Sequence, residues 1–307
     1  MALQVFPGSR MFPAPARPVL TIGNFDGVHR GHRVLLDALV ARAEELDAPA
    51  AVYTFDPAPR EILQPDRCPP RITSLERKLE LLEAAGVDMV VVEPFSLELG
   101  GMAPADFADE VIGRRLHPRA MVVGYDFRYG KARAGDVHTL RAHFPELSIR
   151  AVEALQDTER IVSSSAIREA VAEGRIDDAA RCLGRPYRLT GVVEPGDQRG
   201  RKMGVPTANI KPDQQLLPAL GVYAVRAWVP GASRPLPAVA NIGVRPTFER
   251  VGIVLEVHFL EGGRDFYGQR LAVDLIRFLR PERRFDSAES LRAQIALDIE
   301  DAQDALR

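Results

Sequence analysis

The sequence has few cysteines, no long apolar run and almost no net charge. Cys68 and Cys182 are the only cysteines in 307 residues, and neither has the CxxC partner that a zinc site or a disulfide framework would offer. No apolar run approaches the roughly 18 residues of a membrane helix. Prolines also interrupt the N-terminal segment, where a secretory signal needs an apolar core. We therefore expect a cytoplasmic protein with no role in a membrane.

Charge is balanced as well, with 40 basic and 42 acidic residues and a formal net charge of -2. Such a chain has no global electrostatic attraction for nucleic acid. We expect small molecules as partners, no nucleic acid, and a monomer or weak homo-oligomer.

What the first half does contain is a strict alternation of apolar strands and helical patterns. The strand-like runs are "VLTI", "AAVYTF", "DMVVVE", "AMVVG" and "SIRAV", and a helix-like segment follows most of them. This succession predicts βαβ units, a parallel sheet and an α/β domain over residues 1–184. In such sheets, ligands bind beyond the carboxyl ends of the strands.

The pattern changes in the second half, which we expect to form a separate domain over residues 185–307. Its short apolar runs are separated by Gly and Pro: "YRLTGVV", "GVYAVRAWV", "PAVANIG", "IVLEVHFL" and "QRLAVDLIRFL". That spacing is typical of an antiparallel barrel. An apolar stripe in the last segment predicts a C-terminal helix packed on this barrel; its members are Leu291, Ile295, Ile299, Ala302 and Leu306.

Two histidines stand where the first strand gives way to its helix. His29 and His32 flank Gly31 at the start of this helix, and a helix N-terminus favours a phosphate group. The histidines add two hydrogen-bond donors, and Gly31 leaves room for a phosphate chain. The same HxGH string also occurs in an ordinary first helical turn, so the motif alone leaves both interpretations open.

In the second half, oxygen-bearing side chains recur on one strand face. Thr207 and Asn209 share a face because side chains alternate with a period of two, and their oxygens suit Mg²⁺. A hydrogen-bonded β-bulge or turn after Pro206 fits the same residues, and for this motif alone it is the favoured interpretation. In "IVLEVHFL", the apolar set Ile253, Leu255, Val257 and Phe259 alternates with Glu256 and His258. Glu256 therefore projects from a rigid strand, either into a site or as an exposed glutamate on a solvated face, whereas His258 is expected to be structural.

Four motifs in order resemble the adenylyltransferase half of bacterial bifunctional riboflavin kinase/FAD synthetases. They are "TIGNFDGVHRGH", "FDPAP", "GYDFRYG" and "VSSSAIR". The second half is similar to the kinase of that family through "GRKMGVPTANI", "GVYAV", "NIGVRPTF" and "LEVHFLEGGRDFYG". The resemblance covers nearly the whole chain from Val19 onward. It implies a Rossmann-like nucleotidyltransferase domain followed by a riboflavin kinase barrel.

The resemblance also implies roles for individual residues. In adenylyl transfer from ATP to FMN, His29 and His32 would be the catalytic pair that holds the ATP phosphates. The other ATP-binding residues would be Gly23, Asn24, Phe25, Asp26, Gly31, Ser163, Ser164 and Arg168. In the kinase, Glu256 would be the base, Thr207 and Asn209 the Mg²⁺ ligands, and ATP the co-substrate. The rest of the flavin and ATP site would be Gly200, Arg201, Lys202, Gly204 and Pro206.

One departure from the family pattern keeps other functions open. A histidine and glycine that often follow the first barrel strand in this family are replaced by Glu194 and Pro195. A flavin or nucleotide sensor without turnover is therefore an alternative, as is an adenylyltransferase with an inactive β-domain. Formation of FMN from riboflavin would distinguish an enzyme from either alternative.

Overall fold

A computed structural model gives the fold of residues 2–13, 16–157, 160–196, 205–213, 216–246, 251–261 and 266–307. The chain divides into two compact units. The first contains residues 1–70 and 75–163, and the second contains residues 71–74 and 164–307.

The first unit is built on a parallel sheet of six strands in the order β1-β4-β3-β2-β5-β8. These strands are β1 (Gln4–Phe6), β2 (Val19–Ile22), β3 (Ala50–Phe55), β4 (Met89–Glu93), β5 (Ala120–Gly124) and β8 (Ser148–Val152). Two short hairpins pair β6 (Arg128–Tyr129) with β7 (Gly135–Asp136), and β9 (Gln156–Asp157) with β10 (Arg160–Ile161).

Helices bury both faces of this sheet. The helices of this unit are α1 (Arg30–Glu45), α2 (Pro59–Leu63), α3 (Leu75–Glu83), α4 (Leu97–Gly101), α5 (Pro104–Phe107) with its π-helical continuation (Ala108–Leu116), and α6 (Val137–His143). Along β2, Leu20 belongs to the core beside Ile112, whereas Val19 belongs to the core beside Leu36 of α1. Because both faces are covered, the central strands β2 to β5 are apolar almost throughout.

The second unit is a closed antiparallel barrel in the order β11-β12-β15-β14-β13-β16. Its strands are β11 (Tyr187–Glu194), β12 (Ala208–Pro212), β13 (Gly221–Trp228), β14 (Leu236–Pro246), β15 (Val251–Phe259) and β16 (Arg270–Pro281). On β15, Leu255, Val257 and Phe259 are buried as the alternation predicts, while Ile253 near the start of the strand is exposed.

Two helices before the barrel share its core. The buried side chains of α7 (Ser164–Ala172) and α8 (Ile176–Leu183) belong to the same apolar cluster as the barrel interior. Ile72 joins this cluster, and the Arg71 carbonyl accepts a 2.7 Å hydrogen bond from Leu216 N. The compact unit therefore begins at Ser164, whereas the functional boundary expected between residues 184 and 185 stays a prediction.

The C-terminal helix, α9 (Ala288–Leu306), contacts the barrel through an ion pair as well as its apolar stripe. Arg280 Nε and Nη2 each donate a 2.7 Å hydrogen bond to the Asp298 carboxylate. Gln294 Nε2 donates to Asp298 Oδ1 at 2.8 Å. Asp298 is 4% exposed and Ala302 is fully buried, so the helix is fixed to the barrel at these two positions.

The α/β fold class, the barrel and the C-terminal helix predicted from the sequence are confirmed. Across the described ranges, no helix combines the length and apolar character needed to cross a membrane.

We predict that Asp298→Ala destabilises the second unit by about 3 kcal/mol, because it leaves the mostly buried Arg280 guanidinium without its carboxylate. Trp228, the single tryptophan, lies in the barrel, so its fluorescence during urea unfolding measures this loss. Asp304→Ala on the exposed side of α9 is the matched control, with an expected change below about 0.5 kcal/mol. Equal changes in the two variants would contradict the assigned docking role.

Candidate active sites

The first candidate site lies at the topological switch point of the parallel sheet. From β2 the chain builds β3 and β4 on one side, and then returns to build β5 and β8 on the other. The loops that follow β2 and β5 therefore flank the crevice where ligands of such sheets bind. These loops carry "GNFDGVH" and "YDFRYG", while "DPAP" follows the neighbouring β3.

The loop after β2 is held in an unusual backbone conformation. Phe25 and Val28 have φ angles of 48° and 37°, although both side chains are buried. Non-glycine residues adopt such angles only where their surroundings enforce them. Gly23 N donates to the Tyr53 carbonyl at 3.0 Å, and Thr54 Oγ1 donates to the Asn24 carbonyl at 3.2 Å. The β3 strand thus fixes the start of this loop.

His29 and His32 cap the first turn of α1 reciprocally. His32 N donates to His29 Nδ1 at 3.2 Å, and His29 N donates to His32 Nδ1 at 3.4 Å. The rings stack with centroids 3.7 Å apart. Because each Nδ1 accepts a backbone N–H, the proton of each neutral ring resides on Nε2. The capping bonds therefore make both Nε2–H groups hydrogen-bond donors.

Gly31 lies where a side chain would be crowded by this cap. A Cβ at position 31 would lie 3.1 Å from the His29 ring and 3.2 Å from the Val162 carbonyl. The Gly31 backbone, where we expect a phosphate chain to approach, is thus bounded by the His29 ring and by the segment that leads into "SSSAIR". Asn24 is exposed and Asp26 is partly buried in the same loop.

The remaining predicted residues of this site fall in two units. Ser163 ends the first unit, whereas Ser164 and Arg168 lie in α7 of the second. Their place opposite the histidines stays a prediction.

The second candidate site is a row of polar side chains across four neighbouring barrel strands. Glu194 of β11 pairs with Asn209 of β12, Asn209 pairs with Glu256 of β15, and Glu256 pairs with Asn241 of β14. Directly opposed residues project from the same face of a sheet. The adjacent row is Val193, Ile210, Leu255 and Ile242, all buried in the core. Alternation therefore places the polar row on the outer face, with Glu256 partly buried.

The Asn209 side chain has an unsatisfied oxygen. Asn209 is 9% exposed, and its Oδ1 has no hydrogen-bond partner among the described residues. Gly196 lies against the amide, since a Cβ there would be 2.1 Å from Asn209 Nδ2. Thr207 is partly buried one residue before β12 begins. A buried, unpaired oxygen beside a hydroxyl fits a hard divalent cation such as Mg²⁺.

This cation would depend on the nucleotide for most of its ligands. The described residues contain no group of three or more His, Cys, Asp or Glu side chains that could hold a metal ion. Mg²⁺ typically takes one or two protein ligands, several waters and substrate phosphates. The predicted residues Gly200, Arg201, Lys202 and Gly204 lie outside the described residues, while Pro206 is exposed beside Thr207.

Sequence reasoning missed Lys78, which is 8% exposed on α3. Its Nζ lies 3.5 Å from Thr54 Oγ1, the hydroxyl that supports the loop after β2. The available signal was its position, since Lys78 falls with Leu75 and Leu82 on the apolar stripe of α3. Lysine is rarely buried unless its ammonium group is paired, so its place on an apolar stripe indicates a specific partner.

Comparisons with known proteins match both units. A family model for FAD synthetase matches residues 12–166, and one for riboflavin kinase matches residues 183–306. Bifunctional riboflavin kinase/FMN adenylyltransferases are similar over nearly the whole chain. The protein from Escherichia coli K12 is 40% identical over 91% of this chain and 90% of its own. The one from Pseudomonas fluorescens is 41% identical over 92% of this chain and 90% of its own.

The chain belongs to the bifunctional riboflavin kinase/FMN adenylyltransferase family. The predicted family and the prediction of an enzyme with kinase and nucleotidyltransferase activities are thereby confirmed. A crystal structure from Streptococcus pneumoniae, described as that of a macrolide-efflux protein, has a TM-score of 0.90, 27% identity and 99% coverage of both chains. This likeness concerns the fold.

The capping geometry predicts that His29→Asn separates helix capping from catalysis. Asn accepts the His32 N–H as well as histidine does at an N-cap, but it has no Nε2–H. FAD formation from FMN and ATP should fall about 100-fold, as for loss of one preorganised donor. His29→Ala should lose the same activity and, in addition, about 1 kcal/mol of stability. The measurements are initial rates and thermal unfolding; a parental rate in His29→Asn would reduce the ring to a helix cap.

Proposed function

We propose that the chain makes FAD from riboflavin in two ATP-dependent steps at separate sites. The barrel phosphorylates riboflavin to FMN, and the parallel-sheet unit joins FMN to AMP with release of pyrophosphate. Family membership supports both activities. The observation that carries the residue assignment is the polar row, in which Glu256 stands beside the unsatisfied Asn209 oxygen.

In the kinase step, the acceptor is a neutral alcohol and must lose a proton as it attacks. Glu256 takes the proton of the ribityl hydroxyl, the oxygen bonds to the γ-phosphorus of ATP, and ADP leaves. The strand pairing of β15 with β12 and β14 holds this carboxylate on a rigid element. Thr207 and Asn209 would hold Mg²⁺, which supplies charge neutralisation at the ATP phosphates when bound.

The adenylyl step makes different demands on its site. The FMN phosphate is already ionised, so its oxygen attacks the α-phosphorus of ATP without a base, and pyrophosphate leaves. What the protein must supply is positioning and stabilisation of negative charge. The Nε2–H donors of His29 and His32, together with the N-terminus of α1, suit this task. The residues that complete the proposed ATP site are Gly23, Asn24, Phe25, Asp26, Gly31, Ser163, Ser164 and Arg168.

The composition supports proposals on the partners, the location and the oligomeric state of the protein. We propose riboflavin, FMN, FAD and ATP as the partners, with no nucleic acid or membrane, in a cytoplasmic monomer or weak homo-oligomer. The balanced charge and the two isolated cysteines support this proposal.

We predict that Glu256→Gln slows FMN formation from riboflavin roughly 10²- to 10⁴-fold, because the amide cannot accept the proton. The same variant supplied with FMN and ATP should form FAD at the parental rate. The measurement is a pair of initial rates on parent and variant.

Asn241→Ala is the control variant, because it alters the position paired with Glu256 in the polar row and leaves the Glu256 carboxylate in place. An equal loss of both reactions in Glu256→Gln would indicate unfolding or a single shared site. An unchanged FMN rate would remove Glu256 from the mechanism. Flavin binding without any FMN in the parent would favour the sensor.

A further inference from the structure

His258 lies on the same strand face as Glu256, two positions further along β15. Its Nδ1 is 2.9 Å from the carbonyl oxygen of Pro206. A carbonyl oxygen only accepts hydrogen bonds, so Nδ1 carries the proton and donates it. The bond joins the strand of the proposed base to the segment that leads into Thr207.

Thr207 needs such a bond more than Asn209 does. Asn209 is held by ladder pairing on both sides, to Glu194 of β11 and Glu256 of β15. The pairing of β12 with β15 begins only at Ala208 opposite Val257. Thr207 therefore lies one residue before the ladder, at the position that would face His258 if the pairing continued.

The Pro206 carbonyl is a direct means of orienting Thr207. It shares one planar peptide unit with the Thr207 N–H, so fixing the oxygen fixes the plane from which Thr207 continues. The proline ring restricts φ on the other side of that plane. Between the ring and the His258 bond, the backbone that enters Thr207 has little freedom left.

We propose that His258 is a positioning residue of the kinase site: its Nδ1–H bond to Pro206 holds Thr207 beside Asn209 and so sets the affinity for a metal–nucleotide complex. The inference rests on the proposed kinase site. His258 acts through Thr207 and takes no part in proton transfer.

Two amide substitutions distinguish this role from general packing. In His258→Asn, the side-chain amide nitrogen lies at the δ position and can keep the bond to Pro206. In His258→Gln it lies one atom further out, where Nε2 would be. His138→Gln replaces an exposed histidine of the first unit and is the matched control.

The experiment is hydrogen–deuterium exchange of the full-length protein, followed in a peptide that spans Thr207 to Lys211 during titration with MgADP. This peptide reports the barrel site separately from nucleotide bound to the first unit. His258→Asn and the control should show the parental midpoint of protection. His258→Gln should require about two- to tenfold more MgADP, as for one lost neutral hydrogen bond.

Kinetics provide the second readout. In FMN formation, His258→Gln should raise the KM for ATP by a similar factor, while FAD formation from FMN is unchanged. Equal behaviour of the Asn and Gln variants, or no protection of this peptide in the parent, would overturn the inference. A parent that is protected by MgADP yet makes no FMN would refute the proposed function and leave the role of His258 intact.

Discussion

Strand register is the constraint on which both sites depend. In the parallel sheet, register brings the carboxyl ends of β2, β3 and β5 to one edge, and each end is followed by one of the motif loops. In the barrel, register aligns Glu194, Asn209, Glu256 and Asn241 across four strands. A slip of one residue on any of these four barrel strands would exchange its polar and apolar faces. The buried row beside the polar one makes such a slip costly.

The chemistry of the two proposed steps explains why the sites are built differently. An ionised phosphate needs no base. The first site offers Nε2–H donors, and helix capping through Nδ1 orients them. An alcohol needs a base, and the barrel offers a carboxylate on a paired strand next to the unsatisfied Asn209 oxygen. A helix N-terminus at a switch point supplies the hydrogen-bond donors, whereas the outer face of a barrel supplies the carboxylate.

The sequence predicts the strands and the face of Glu256, because the period-two alternation of "LEVHF" is a local property that the barrel preserves. It also predicts that His29 and His32 lie at the start of α1, since the strand, the loop and the helix are consecutive, but not that the two rings cap the helix. It does not reveal the burial of Asp298, because a charged residue on a helix looks solvated until its partner on another element is known. For Lys78, the place on the apolar stripe of α3 indicates burial, but the contact with Thr54 is not visible in the sequence. The insertion of Ile72 into the second core is missed for the same reason, since its contacts are distant in sequence.

The central claim is that one chain uses two ATP molecules in two chemically distinct ways, and labelled ATP tests it most directly. Purified protein is incubated with riboflavin, Mg²⁺ and ATP labelled at either the γ- or the α-phosphate, and the flavins are separated over time. The account predicts that the γ-label enters FMN first and is retained in FAD, whereas the α-label enters FAD alone. Absence of γ-label from both flavins, or α-label in FMN, would contradict it.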